Sequence, residues 1–111
     1  KNLIGNAGLI SFAEALSYGA LPKLEWLDLG GNTIGDPGMV AFSEALAKGA
    51  LAQLKKLSLA ENQVGDPGMI ALSSAFAKGH LPSLKKIAVN TQHQRHPQFV
   101  AACGFRGVLI I

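Results

Sequence analysis

The chain has 111 residues, 49% of them hydrophobic and 15% charged, with a formal net charge of +3. The length fits one domain or part of a longer one, and the hydrophobic content excludes an intrinsically disordered chain. A single cysteine, Cys103, excludes an intrachain disulfide, and no run approaches the roughly 18 apolar residues of a membrane-spanning helix.

Hydrophobic periodicity alternates between two patterns along the chain. Leu27 and Leu29 follow the period of two that is typical of a strand, whereas Met39, Phe42 and Leu46 recur at helical spacing. Extended to the whole chain, the same patterns predict helices near residues 7–18, 37–48, 67–78 and 97–103. They predict strands near residues 25–29, 55–59, 85–89 and 108–111.

These elements form an internal repeat of 30 residues. Residues 21–50 and 51–80 align without gaps and are identical at 16 of the 30 positions. The frame continues upstream through Asn2, Ile4 and Leu9, and downstream through Ile87 and Val89. We therefore divide the chain into a partial unit at about residues 1–20, full units at 21–50 and 51–80, and a degenerate closing unit at 81–111.

The sequence Asp-Pro-Gly opens the second and third predicted helices at residues 36–38 and 66–68. Aspartate is a favourable N-cap and proline suits the first helical position, so we expect each aspartate to cap its own helix. Asn6 and His96 take the same position in the first and last helices. A simple β-turn is the alternative, but the helical apolar run that follows favours the cap. Gly49 stands where a helix should end.

Strands joined by helical crossovers should be parallel and right-handed. Strands lie about 4.8 Å apart, whereas packed helices need about 8–10 Å, so the stack must curve with its strands on the inner wall. The fold class that we predict is an α/β right-handed solenoid with parallel strands on the concave side and helices on the convex side.

The pattern LxxLxLxxNxIG, beginning at Leu24 and again with valine for isoleucine at Leu54, resembles the leucine-rich repeat. The 30-residue length and full helix are similar to the ribonuclease-inhibitor-like class, which includes the Ran GTPase-activating protein and the sensor regions of NOD-like receptors. The resemblance implies a ladder of turn asparagines, matched here by Asn2, Asn32 and Asn62. The last unit departs from it, because Gln92 occupies that position.

The closing unit is shorter than the others. The helix from His96 to Cys103 is followed by Val108-Leu109-Ile110-Ile111, a strand that arrives about eight residues early and should pair beside residues 86–89. The first unit lacks a preceding strand that would hide its apolar face. We therefore expect a C-terminal fragment of a longer repeat protein that is marginally stable alone or self-associates through uncapped ends.

The side chains that point to the concave wall differ most between repeats, while the core positions agree. We expect a partner-binding surface there, anchored by an exposed Trp26 whose ring Lys56 stacks upon. Lys55, Lys56, Lys85 and Lys86 would form a basic patch, or simply a solvated face. The predicted binding residues are Trp26, Asp28, Lys56, Ser58, Lys86 and Asn90.

No residue set predicts catalysis, and we expect no enzyme activity and no cofactor. His93, His96 and Cys103 make an incomplete metal set, and Cys103 fits a small buried residue better. Glycine-rich turns lack the Lys-Ser/Thr of a phosphate loop. Nucleic-acid binding is disfavoured because only Trp26 offers an aromatic ring on the wall.

The function that we predict is a protein–protein interaction module whose partner carries an acidic or mixed patch, with no role at a membrane. A GTPase-activating module, as the resemblance to the Ran regulator allows, and a purely structural segment of a larger sensor are the alternatives. The absence of disulfides and of a signal sequence leads us to expect an intracellular, cytoplasmic location.

Overall fold

The computed structural model of the chain describes residues 5–111. Strands and helices alternate as the repeat predicts, and the predicted positions Asn2 and Ile4 lie outside the described residues. The elements are α1 (Gly5–Ser17), β1 (Trp26–Asp28), α2 (Asp36–Ala47), β2 (Lys56–Ser58), α3 (Asp66–Ala77), β3 (Lys86–Ala88), a 3-10 helix (Thr91–His93), α4 (Pro97–Arg106) and β4 (Leu109–Ile110).

The strands form one parallel sheet of four in the order β1-β2-β3-β4. Leu27 pairs with Leu57, and Leu57 pairs with Ile87, so equivalent positions of successive repeats lie side by side. The helices contact one another in the same order, α1 with α2, α2 with α3, and α3 with α4. The fold is an α/β leucine-rich-repeat solenoid, with parallel strands on the concave side and helices on the convex side.

The core fills the space between the sheet and the helices. Phe42, Phe76 and Phe99 are fully buried, and the rings of Phe76 and Phe99 meet at 6.3 Å between centroids. Burying a side chain of this size contributes about 1.5–3 kcal/mol. Leu57 and Ile87 close the core from the sheet side and are fully buried. Equivalent core positions therefore stack from one repeat to the next.

The closing unit differs from the prediction in two details. Helix α4 extends to Arg106 rather than ending at 103, because Gly104 is accommodated inside the helix and Gly107, at a φ of 72°, ends it in the left-handed conformation. The loop between β3 and α4 contains a 3-10 helix at Thr91–His93, which the hydrophobic periodicity does not predict. The early strand is confirmed, since Leu109 pairs with Lys86 in parallel.

Candidate functional site

The concave face of the sheet carries two rows of side chains that run across the strands. The register aligns Trp26, Lys56, Lys86 and Leu109 in a first row, which we call the lysine row. Asp28, Ser58 and Ala88 align in a second row. The intervening residues Leu27, Leu57 and Ile87 point to the core, as the period of two requires.

Trp26 lies at the β1 end of the lysine row with 70% of its surface exposed. The ammonium group of Lys56 lies 4.7 Å from the centroid of its ring. A cation held over an indole contributes about 0.5–1 kcal/mol at an exposed site. The contact holds the two side chains together on the surface, where the edge of the indole ring remains accessible to a ligand.

Positive charge is concentrated on β2 and β3. Lys55 forms an ion pair with Glu25 at 3.6 Å, and both side chains are exposed, so that pair is weak and partly neutralises the edge of the basic patch. Among residues 5–111, Lys85 and Lys86 form no ion pair. β1 carries a negative charge at Asp28, whose carboxylate accepts a hydrogen bond from the Gly30 amide at 2.8 Å.

A groove of about 230 Å³ opens on the concave face, and residues of both rows line it. Ser58 and Ala88 are small, and they leave this space open between the larger side chains around them. The groove is lined by Trp26, Leu27, Asp28, Lys56, Ser58, Ala88 and Ile111. A ligand could therefore bury apolar atoms against the wall while its acidic groups face the lysines.

Asn90, which the sequence assigns to this surface, is half-buried and has a structural contact of its own. Its carboxamide oxygen accepts a hydrogen bond from the Asn62 amide at 3.2 Å, and its side-chain nitrogen donates to the Asn62 carbonyl at 2.7 Å. Asn90 therefore continues the asparagine ladder, two residues before the position where the repeat places Gln92. The side chain therefore helps to hold the loop after β3 against the loop after β2.

The ladder itself is built as the resemblance implies. The side-chain oxygen of Asn62 accepts hydrogen bonds from the amides of Asn32 and Ile34, at 2.9 and 3.0 Å. Its side-chain nitrogen donates to the carbonyls of Leu29 and Leu59, at 2.8 and 3.0 Å. These bonds satisfy buried backbone groups and hold together the loops that follow β1 and β2.

Asp36 caps the helix of the next repeat and not its own, contrary to the prediction. The N-cap residue of α2 is Gly35, which has no side chain that could accept a hydrogen bond from the helix. The Asp36 carboxylate accepts hydrogen bonds from the amides of Gly65 and Gly68, both at 2.8 Å, at the start of α3. Asn6 does the same for Gly35 and Gly38 at the start of α2.

The cap changes again at the closing unit. Asp66 also fails to cap α3, and its carboxylate instead approaches the imidazole of His96 at 3.5 Å. His96 caps α4 as predicted, accepting a hydrogen bond of 3.4 Å from the Phe99 amide. The series of inter-repeat caps thus ends where glycine is replaced by Arg95 and Gln98.

His93, His96 and Cys103, the residues considered for metal binding, each have a different structural role. His93 is buried with its ring 2.7 Å from the Val64 carbonyl, and His96 is used as a cap. Within residues 5–111 no cluster of three or more His, Cys, Asp or Glu side chains could hold a metal ion. Cys103 is buried, as predicted, and burial raises the pKa of its thiol to about 11, with Arg106 opposing part of that rise.

Arg106 has a structural role that the sequence did not reveal. Its guanidinium donates hydrogen bonds to the carbonyls of Phe76 and His80 at the end of α3, at 3.0 and 2.8 Å. A third bond, of 2.6 Å, goes to the carbonyl of Leu81. Nothing local to residue 106 marks a partner 25–30 residues earlier.

The fold and the exposed wall define a leucine-rich-repeat solenoid, a class that is typically a binding module without enzymatic activity. Two segments of the chain, residues 20–43 and 52–73, match the family model described as Leucine Rich repeat. Both segments run from a strand into the following helix. No curated protein matches the chain. In the part that the structure describes, none of the helices combines the length and apolar character of a membrane-crossing segment.

Proposed function

We propose that the chain binds a protein partner through the concave face of its sheet, and that the partner presents an acidic patch. The observation that carries the proposal is the lysine row, in which an exposed tryptophan is held under a lysine beside a second lysine without an ion pair. Leucine-rich repeats generally mediate protein–protein interaction. The binding residues that we propose are Trp26, Asp28, Lys56, Ser58 and Lys86.

The pattern of variation between repeats supports this surface. Leu57 and its equivalents Leu27 and Ile87 are all apolar, because they pack against the core. On the wall, Trp26 is replaced by lysine and Asp28 by serine one repeat later. Packing constrains the first set, whereas the second set is free to fit a ligand.

The energetics favour an anchor-and-charge mode of binding. Tryptophan is enriched among the few residues that dominate interface energies, and truncating such an anchor costs about 2 kcal/mol or more. Lysines of the surrounding surface mainly accelerate association and discriminate between partners. The interaction should therefore weaken as salt is raised, while its dependence on Trp26 persists.

A matched pair of triple variants tests the proposal. The first changes Trp26, Lys56 and Lys86 to alanine; the control changes Phe105, Lys48 and Lys78, which supply one exposed aromatic and two lysines away from the concave face. Proteins cross-linked to the wild type and the control, but lost from the first variant, identify the partner. Equal capture by both variants would instead support a purely structural role.

A regulatory action on a GTPase and self-association are the alternatives that share this fold. Adding the chain to a captured GTPase separates the first, because we expect binding without faster nucleotide hydrolysis. Sedimentation over a range of chain concentrations separates the second. We expect the concave triple variant to lose the partner while self-association through the backbone of the edge strands persists, because the substitutions leave that backbone unchanged.

A further inference from the structure

We infer that the partner segment is an acidic amphipathic α-helix lying across the strands along the lysine row; this inference rests on the proposed concave binding surface. The row carries apolar groups at both ends, Trp26 and Leu109, and cations at the two middle positions, Lys56 and Lys86. The complementary sequence of contacts is apolar, acidic, acidic, apolar.

The spacing of the row selects a helix over an extended segment. Neighbouring strands lie about 4.8 Å apart, so four positions in register span about 14 Å. Side chains on one stripe of an α-helix recur about every 5.4 Å, one per turn, and four of them span about 16 Å. In an extended segment, side chains on one face recur at about 6.6 Å, and four of them span about 20 Å. Only the repeat distance of the helix matches the strand spacing closely enough for all four contacts to form.

The groove on the concave face can accommodate one side of the partner helix. The groove is lined by Trp26 and Lys56 of the lysine row, by Asp28, Ser58 and Ala88 of the second row, and by Ile111. A helix seated there can place apolar residues against Trp26 and Leu109, which are 70% and 56% exposed, and acidic residues over the lysines.

Charge also sets the direction of the helix. Asp28 at the β1 end favours the positive N-terminal end of a helix dipole, and Lys85 and Lys86 at the β3 end favour its negative C-terminal end. The partner helix should therefore run from β1 towards β4.

Two stapled helical peptides of identical composition provide the test. The first carries Leu, Glu, Glu and Leu at positions 2, 5, 9 and 12, which form one stripe; the second moves both glutamates to the opposite face. Binding is followed by calorimetry and by the fluorescence of Trp26, the only tryptophan of the chain. We expect the first peptide to bind at least tenfold more tightly than the second at low salt.

Charge reversal sharpens the experiment. Lys56→Glu combined with Lys86→Glu should weaken binding of the first peptide at least tenfold, and a peptide with lysine in place of both glutamates should then bind the variant better than the wild type. Lys48→Glu combined with Lys78→Glu, away from the concave face, is the control and should change the affinity less than twofold.

The outcomes separate this inference from the proposed function. Equal binding of both peptides, or no binding of either while the concave triple variant still loses the cross-linked partner, overturns the helix and leaves the surface intact. Failure of both experiments overturns both proposals. A single-stranded oligonucleotide that quenches Trp26 at the concentration of the first peptide, in a manner that charge reversal abolishes, would assign the lysine row to nucleic acid.

Discussion

Gly68 admits the Asp36 carboxylate of the preceding repeat to the start of α3. A Cβ atom at this position would lie 2.7 Å from Asp36 Oδ1 and 2.6 Å from a methyl group of Val64. Gly68→Ala should therefore displace the carboxylate and crowd the core, lowering the free energy of unfolding by about 2–4 kcal/mol. Denaturant unfolding at neutral pH measures the loss.

Gly104→Ala is the matched control for that substitution. Gly104 also lies within a helix, but nothing stands within 4 Å of the added Cβ. Because alanine is the better helix former, Gly104→Ala should raise the free energy of unfolding by up to about 1 kcal/mol. Equal losses in the two variants would show that the inter-repeat cap is not what requires glycine at 68.

Cys103 links stability to pH through its buried thiol. Burial raises its pKa from 9.0 to about 11 in the folded state. Below pH 9 the thiol is protonated in both states; between pH 9 and 11 only the unfolded chain ionises, so stability falls as the pH rises through this window. Relative to Cys103→Ala, the wild type should lose about 2 kcal/mol by pH 11. Parallel stability profiles for the two proteins would contradict this assignment.

At the scale of the loop between β3 and α4, Asn90 rather than Gln92 completes the ladder. Asn90 makes two hydrogen bonds to the backbone of Asn62, whereas the Gln92 side chain is exposed. Asn90→Ala should lower the free energy of unfolding by about 1–2 kcal/mol, and Gln92→Ala should change it by less than about 0.5 kcal/mol. Thermal and denaturant unfolding of both variants decide the point, and the reverse order would restore Gln92 to the ladder.

The elements predictable from sequence are those whose pattern is local. The alternation around Leu27 and the helical recurrence from Met39 report the face that each residue turns to its own core, so the strands and helices were predicted within a few residues. Asp36, Asn90 and Arg106 act instead on backbone groups 25–32 residues away. Their roles depend on how one repeat sits on the next, which a local period does not encode.

The same distinction holds for the candidate binding surface. The exposure of Trp26 and its contact with Lys56 follow from strand alternation and the 30-residue register, and both were predicted. Asn90 keeps the 30-residue register, but its side chain bonds to the backbone of Asn62, a contact that the strand period does not encode. Leu109 joins the lysine row because the shortened closing unit brings β4 beside β3 at this register, and only that pairing reveals it.

At the scale of the whole molecule, stability in a solenoid is transmitted between neighbouring repeats. The closing unit is attached to the third repeat by the packing of Phe99 on Phe76 and by the three hydrogen bonds of Arg106. β4 is also paired with β3 in the sheet. Because the guanidinium is the charged, directional contact between α4 and the end of α3, we expect Arg106 to couple the opening of the closing unit to that of the repeats before it.

Arg106→Met should uncouple these two parts, because methionine keeps an apolar stem but removes the three hydrogen bonds to the carbonyls of Phe76, His80 and Leu81. We expect amide hydrogens of α4 and β4 to exchange at least tenfold faster, while those of Leu57 and Leu59 in the central repeat change less than twofold. Hydrogen exchange read by mass spectrometry measures both, with Arg95→Met, an exposed arginine, as the control. If α4 and the central repeat lost protection together, the chain would open as one unit, and Arg106 would contribute to global stability without coupling separate parts.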